Sequence, residues 1–163
     1  MKSIILFRHG KSDWEKIYKL DSDRPLAKRG IKSSKKMGLY LSKINQIPNK
    51  VICSTAVRAK CTLEAALLSG KWDSKIEFDE NIYLCSLKKF LSILKLQNSK
   101  YDLICFIGHE PTFSLLLNQI SPIKISKFPT GAMARINFNI GEWKKIKLCL
   151  GTVDWLVKPK ELP

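Results

Sequence analysis

The stretch "SIILFRHGKS" (residues 3–12) is apolar from Ile4 to Phe7 and then stops on Arg8, His9 and Gly10. Consecutive apolar residues without alternation suit a strand covered on both faces, as in a parallel sheet. "KVICS" (residues 50–54) and "YDLICFIG" (residues 101–108) read the same way. Helical periodicity fills the intervals, over roughly residues 27–43, 56–69 and 87–96, with Ala59, Leu63, Ala66 and Leu67 on one face of the second helix and Leu87, Leu91 and Leu94 on one face of the third. A fourth helix is expected over residues 112–120, with Pro111 suited to its first turn. Strands alternating with helices predict an α/β fold, a three-layer α/β/α sandwich with a mostly parallel central sheet and right-handed crossovers. The tail changes character: "GAMARINF" and "KKIKLCLG" flank the turn-rich "NIGEW", which predicts a C-terminal β-hairpin added to the sheet.

The 163 residues, 45% apolar, suffice for one core and are read as a single domain over residues 1–163. No apolar run reaches the roughly 18 residues of a membrane span, and the start lacks a signal peptide's order, so a cytoplasmic protein is expected. Five cysteines with no Cys-x-x-Cys pair read as small core residues rather than disulfides or zinc ligands. A formal charge of +15 favours anionic partners. The cations are dispersed, however, and no aromatic-interleaved basic stripe accompanies them, which argues against nucleic acid. Lysine dominates, with 24 Lys to five Arg, and four of the five arginines (Arg8, Arg24, Arg29, Arg58) fall near the polar segments discussed next. Where arginine does occur, its planar fork is a reason to place it there.

Three expected parallel strands end in polar groups: Phe7 runs into Arg8 and His9, Ser54 into a turn carrying Arg58, and Gly108 into His109. Ligands bind outside the carboxyl ends of strands in open α/β sheets, so these side chains are expected in one crevice. They include both histidines of the chain. A zinc set fits poorly, because two histidines without His-x-x-x-His spacing are flanked by arginines that repel a cation. Arginine forks match phosphate oxygens two at a time, and an imidazole held among them is a nucleophile aimed at phosphorus. No metal or other cofactor is expected.

These segments carry a resemblance. "LFRHGKSDW", "DRPLAKRG", "STAVRAKCTLE", "FIGHEP" and "FPTGAMARINF" resemble the histidine phosphatase (phosphoglycerate mutase-like) superfamily, most closely its SixA-type phosphohistidine phosphatase branch, in family order from residue 3 to about residue 160. The resemblance implies that His9 accepts the phosphoryl group, that Arg8 and Arg58 clamp it, and that His109 completes the pocket. Lys11, Ser12, Thr130 and Gly131 are candidate substrate contacts, each with a turn or surface role equally open. Arg24 and Arg29 are expected to anchor their loop through Asp21, Asp23 or backbone carbonyls, and Glu64 to orient a neighbouring basic residue. Two glutamates compete as proton donor to the leaving group. Glu80 lies broadly where mutase-like members carry theirs and is the expected donor; Glu110 follows the second histidine, as in acid phosphatases, yet also suits the positive end of a helix. Phosphohistidine leaves as imidazole, of pKa about 6.5, and so requires a strong acid less than an alkoxide does. The expected activity is hydrolysis of phosphohistidine on a phosphorylated protein. The rivals are a phosphomonoesterase for small phosphorylated molecules and a non-catalytic phosphate- or nucleic-acid-binding protein.

Overall fold

The computed structural model describes residues 1–122 and 124–163. A six-stranded sheet runs in the order β3-β2-β4-β1-β5-β6, built from β1 (Lys2–Arg8), β2 (Lys50–Cys53), β3 (Lys75–Phe78), β4 (Leu103–Gly108), β5 (Met133–Phe138) and β6 (Gly151–Val157). The first four strands of that order pair in parallel, and β5 and β6 are added antiparallel. Helices α1 (Lys28–Lys43) and α2 (Val57–Gly70) cover one face, α3 (Leu87–Lys95) and α4 (Thr112–Ile120) the other. The two-residue period of a strand divides β1 between two cores. Ile5 and Phe7 pack with Met37, Leu41 and Leu63, while Ile4 and Leu6 pack with Phe90, Phe113 and Leu116. Burial on both faces explains why the run at residues 4–7 is apolar without alternation. Among the described residues no helix is long and apolar enough to cross a membrane.

Two departures from the expected elements have physical causes. The partner of β5 is β6, not "KKIKLCLG", which instead forms two 3-10 turns, Trp143–Lys145 and Leu148–Leu150. Trp143 and Ile146 are buried in the core beneath α3 and α4, and the Trp143 indole N–H donates to the Tyr101 carbonyl at 2.9 Å. Burying that indole with its N–H satisfied outweighs pairing an otherwise lysine-rich segment in a sheet. The edge strand β3 was not anticipated: it is short and mostly exposed, so neither length nor apolar continuity marks it. Cys149 is exposed rather than in the core, whereas Cys53 and Cys105 are fully buried; all five cysteines are free thiols.

Candidate active site

Strand register assembles the site. Arg8 stands opposite Gly108, and both Phe7 and Cys53 stand opposite Ile107, so three adjacent strands run out level with one another. His9, His109 and Ser54 therefore emerge at one edge. Strand β5 runs the other way and presents its beginning there, where the Gly131 N–H reaches the carbonyls of Arg8 and His9 at 3.1 and 3.0 Å. Gly131 has φ +72, a left-handed conformation that favours glycine, and a Cβ there would approach Pro159 Cγ to 2.9 Å. The loop after His9 lies directly on the start of α1. A Cβ on Gly10 would come within 2.7 Å of the Gly30 carbonyl oxygen, and its N–H donates to Thr62 Oγ1 at 3.0 Å. The glycine of Arg-His-Gly and that of "KRG" are thus two sides of one close contact.

His9 is 6% exposed. Its Nδ1 lies 2.7 Å from the Gly10 carbonyl oxygen, an acceptor only, so Nδ1 carries the proton and Nε2 the lone pair. Arg58 Nε–H donates to that Nε2 at 3.3 Å. Burial, reinforced by the guanidiniums of Arg58 and Arg8 and partly opposed by the Gly10 carbonyl, lowers the His9 pKa to about 4. The imidazole is therefore neutral at neutral pH with its free electron pair on Nε2.

His109 packs against His9 with ring centroids 5.2 Å apart and meets Tyr83 edge-on at 5.1 Å. Burial, and after it the neighbouring His9, lowers its pKa to about 3. Its Nε2 lies 2.7 Å from Ser54 Oγ, which also accepts the Ala56 N–H at 3.2 Å. The Ser54 hydroxyl keeps a hydrogen to give, and in the tautomer in which it donates to Nε2 the proton of His109 sits on Nδ1. That Nδ1 and the Nε of Arg8 are buried and find no hydrogen-bond partner among the described residues. Unsatisfied buried donors are costly, and two beside the His9 imidazole suit an anion. The sequence marks Ser54 only as the end of the strand that runs into the Arg58 turn, with no signal for its contact with His109.

Arg8, His9 and Arg58 line a cavity of about 300 Å³ together with Lys11, Ser12, Thr130, Lys127 and Asp21. Arg8 is fixed through a 2.6 Å bond from Nη1 to the Phe128 carbonyl. Arg58 holds Asp21 through Nη2 and Oδ2 at 3.0 Å, and its Nη1 donates to the Asp21 carbonyl at 2.9 Å. The Tyr83 hydroxyl donates to the same Oδ2 at 2.8 Å, and with Arg58 it keeps the Asp21 carboxyl below its ordinary pKa. Asp21 is one of three expected anchors for Arg24 and Arg29, with Asp23 and backbone carbonyls; the fold spends it chiefly on Arg58, with Arg24 at 3.9 Å. Arg24 does anchor its loop, donating to the Asp13 carbonyl at 2.7 Å and lying 3.7 Å over the Trp14 ring. Arg29 lines an adjoining cleft instead.

The two candidate acids separate. Glu110 Oε1 accepts the Ser114 N–H at 2.9 Å and Oε2 accepts the Phe128 N–H at 3.0 Å, so one oxygen serves the first turn of α4 and the other the segment that leads into β5. Glu80 is exposed at the start of a 3-10 turn, outside the lining of the cavity. Glu64 is exposed and forms no ion pair among the described residues, where it was expected to orient a basic neighbour. Among the described residues no three His, Cys, Asp or Glu side chains gather in a group that suits a metal ion.

Residues 4–83 match the family model of the histidine phosphatase superfamily (branch 1). An uncharacterized protein of Mycobacterium leprae is 28% identical over 153 residues, covering 86% of this chain and 92% of its own. In three dimensions the chain is similar to the protein histidine phosphatase SixA complexed with tungstate, with a TM-score of 0.81, 24% identity and 98% of each chain covered. It is also similar to the mycobacterial glucosyl-3-phosphoglycerate phosphatase in complex with VO3, with a TM-score of 0.70, 10% identity, and 95% of this chain and 98% of that one covered. At these identities the likeness establishes the fold.

Proposed function

The chain belongs to the histidine phosphatase superfamily, and on that premise we propose that it hydrolyses phosphohistidine on proteins through a phosphoryl group carried transiently on His9. In this reading the lone pair on His9 Nε2 attacks phosphorus as the bond from phosphorus to the substrate imidazole breaks. The Arg58 Nε–H that rests on Nε2 turns to a phosphoryl oxygen, joined by Arg8 and by the Nδ1–H of His109. Fixed donors of this kind stabilise charge on the equatorial oxygens without reorganising during the reaction. The Gly10 carbonyl accepts from Nδ1 throughout and so stabilises the phosphorylated, cationic ring. Water then attacks phosphorus and releases inorganic phosphate, restoring the neutral imidazole.

One observation carries the choice of substrate. Asp21 is the one carboxylate among the residues lining the cavity, and it is held ionised by Tyr83 and Arg58. An ionised carboxylate donates no proton, which suits a leaving imidazole far better than a leaving alkoxide. Likeness in fold to the SixA phosphatase supports the same reading. Likeness to a glucosyl-3-phosphoglycerate phosphatase favours the alternative, a phosphomonoesterase for small molecules on the same site.

The test is a turnover panel of phosphohistidine protein, sugar phosphates and nucleotides with chelator present, together with a rapid alkaline quench that preserves phosphoramidate. The expected result is preferential turnover of phosphohistidine and a single label on His9. Faster turnover of esters would promote the alternative, and a label recovered on His109 or a serine would overturn the assignment of His9.

A further inference from the structure

Beside the cavity of His9 lies a second concavity of about 420 Å³, and the two share Lys11 and Thr130 in their linings. Lys11, Arg29, Lys158 and Lys160 all line it, and none of its lining residues is a carboxylate. These four cations come from three separate parts of the chain, and the sheet brings them together. Strand β6 runs parallel to β1 across the intervening β5: Phe7 stands opposite Met133, and Met133 opposite Val157. Lys158 therefore leaves the sheet at the edge that carries His9.

The segment beyond β6 is seated rather than loose. The Glu161 carboxylate accepts the Lys158 N–H at 3.0 Å, and the Lys36 ammonium on α1 reaches the carbonyls of Pro159 and Leu162 at 3.4 and 3.3 Å. Among the described residues no side chain of Lys11, Arg29, Lys158 or Lys160 forms an ion pair. Converging cations without counter-charges repel one another, and an oxyanion placed between them relieves that repulsion. Lys11, Arg29 and Lys160 are exposed and Lys158 is half-buried, yet all four line one hollow that adjoins the His9 cavity instead of being dispersed over the surface.

We propose that this cleft binds a second anionic group of the substrate, carried beside the phosphoryl group that reaches His9. The proposal rests on the phosphatase reading of the His9 cavity. The chemistry recognised is an oxyanion, either the carboxylate of an acidic residue near the modified histidine or a second phosphate on a small molecule.

Two substrate pairs test it by steady-state kinetics at fixed ionic strength. One pair is a phosphohistidine peptide with Asp and Glu flanking the modified residue, against the same peptide with Asn and Gln. The other is a sugar bisphosphate against the corresponding monophosphate. The enzymes are the wild-type chain, the double variant K158Q/K160Q and a charge-matched control, K88Q/K89Q, on α3 at the opposite face of the sheet. The expected result is a lower KM for the anionic member of at least one pair. That advantage should fall by about three- to thirtyfold in K158Q/K160Q, with kcat and the neutral member unchanged, and persist in the control. An advantage in the peptide pair assigns the cleft to an acidic protein surface, and one in the sugar pair to a second phosphate. No advantage in either pair overturns the proposal, as does an equal loss in the control variant, which would trace it to net charge. Should phosphohistidine peptides fail altogether as substrates while sugar phosphates turn over, the phosphohistidine reading falls and the sugar pair still decides the cleft.

Discussion

Acidification should destabilise this protein earlier than its carboxylates require, because its two histidines fold into their neutral forms. In the unfolded chain each titrates near 6.5, whereas in the folded one burial sets His9 at about 4 and His109 at about 3. Between those limits the unfolded state binds protons that the native state refuses. The stabilisation is thus fully present above about pH 6.5 and is lost as the pH falls toward the folded values. Each histidine surrenders about 1.4 kcal/mol per pH unit, so at pH 4.5 the pair accounts for roughly 5 kcal/mol. That is comparable with the whole stability of many domains, about 5–15 kcal/mol. Asp21, Asp102 and Glu142, whose folded pKa values are lowered by their hydrogen-bonded partners, release their contribution only below about pH 4. Urea melts followed by tryptophan fluorescence from pH 7.5 to 4.5 measure the slope, with the buried Trp143 among the reporters. His9→Gln and His109→Gln should each remove about half of it. The slope, not the absolute stability, is the quantity compared, so a general loss in either variant does no harm to the test. An unchanged slope in both variants would refute the claim that these imidazoles are held neutral.

Three substitutions probe the geometry further. Arg58→Lys should reduce kcat by about a hundredfold or more, since one ammonium cannot both hold Asp21 and donate toward His9 Nε2; near-normal turnover would place Arg58 outside the reaction. Ser54→Ala should leave the Ala56 N–H and His109 Nε2 without their shared partner, at a cost of about 1–3 kcal/mol. Nitrogen NMR should then find the His109 proton no longer confined to Nδ1, and an unchanged tautomer would remove Ser54 from its positioning role. Glu110→Gln should cost about 1–3 kcal/mol of stability by replacing one of two backbone-accepting oxygens with an amide donor, with equal effects on ester and phosphohistidine turnover. A loss confined to esters would instead make Glu110 the proton donor.

The continuous apolar runs around Ile4 and Cys105 and the helical periods between them were sufficient to place the buried strands, the helices and the ends at which Arg8, His9, Arg58 and His109 stand. Such patterns are local, because a strand buried on both faces needs apolar residues at every position whatever lies beyond it. The edge strand β3 and the true partner of β5 were not legible in this way. An edge strand is only partly covered, and whether "KKIKLCLG" pairs in a sheet or turns to bury Trp143 depends on the hollow left beneath α3 and α4. The remainder of the site is a matter of register. Asp21 meets Arg58 and Ser54 meets His109 because the fold returns residues 30 or more positions apart to one edge of the sheet, and Glu110 turns to two backbone amides, one in the first turn of α4 and one in the segment before β5. From sequence the charges of Glu80 and Glu110 are equivalent. What distinguishes them is that one is exposed and the other has both oxygens engaged, and solvent exposure and hydrogen-bond partners are properties of the folded chain alone.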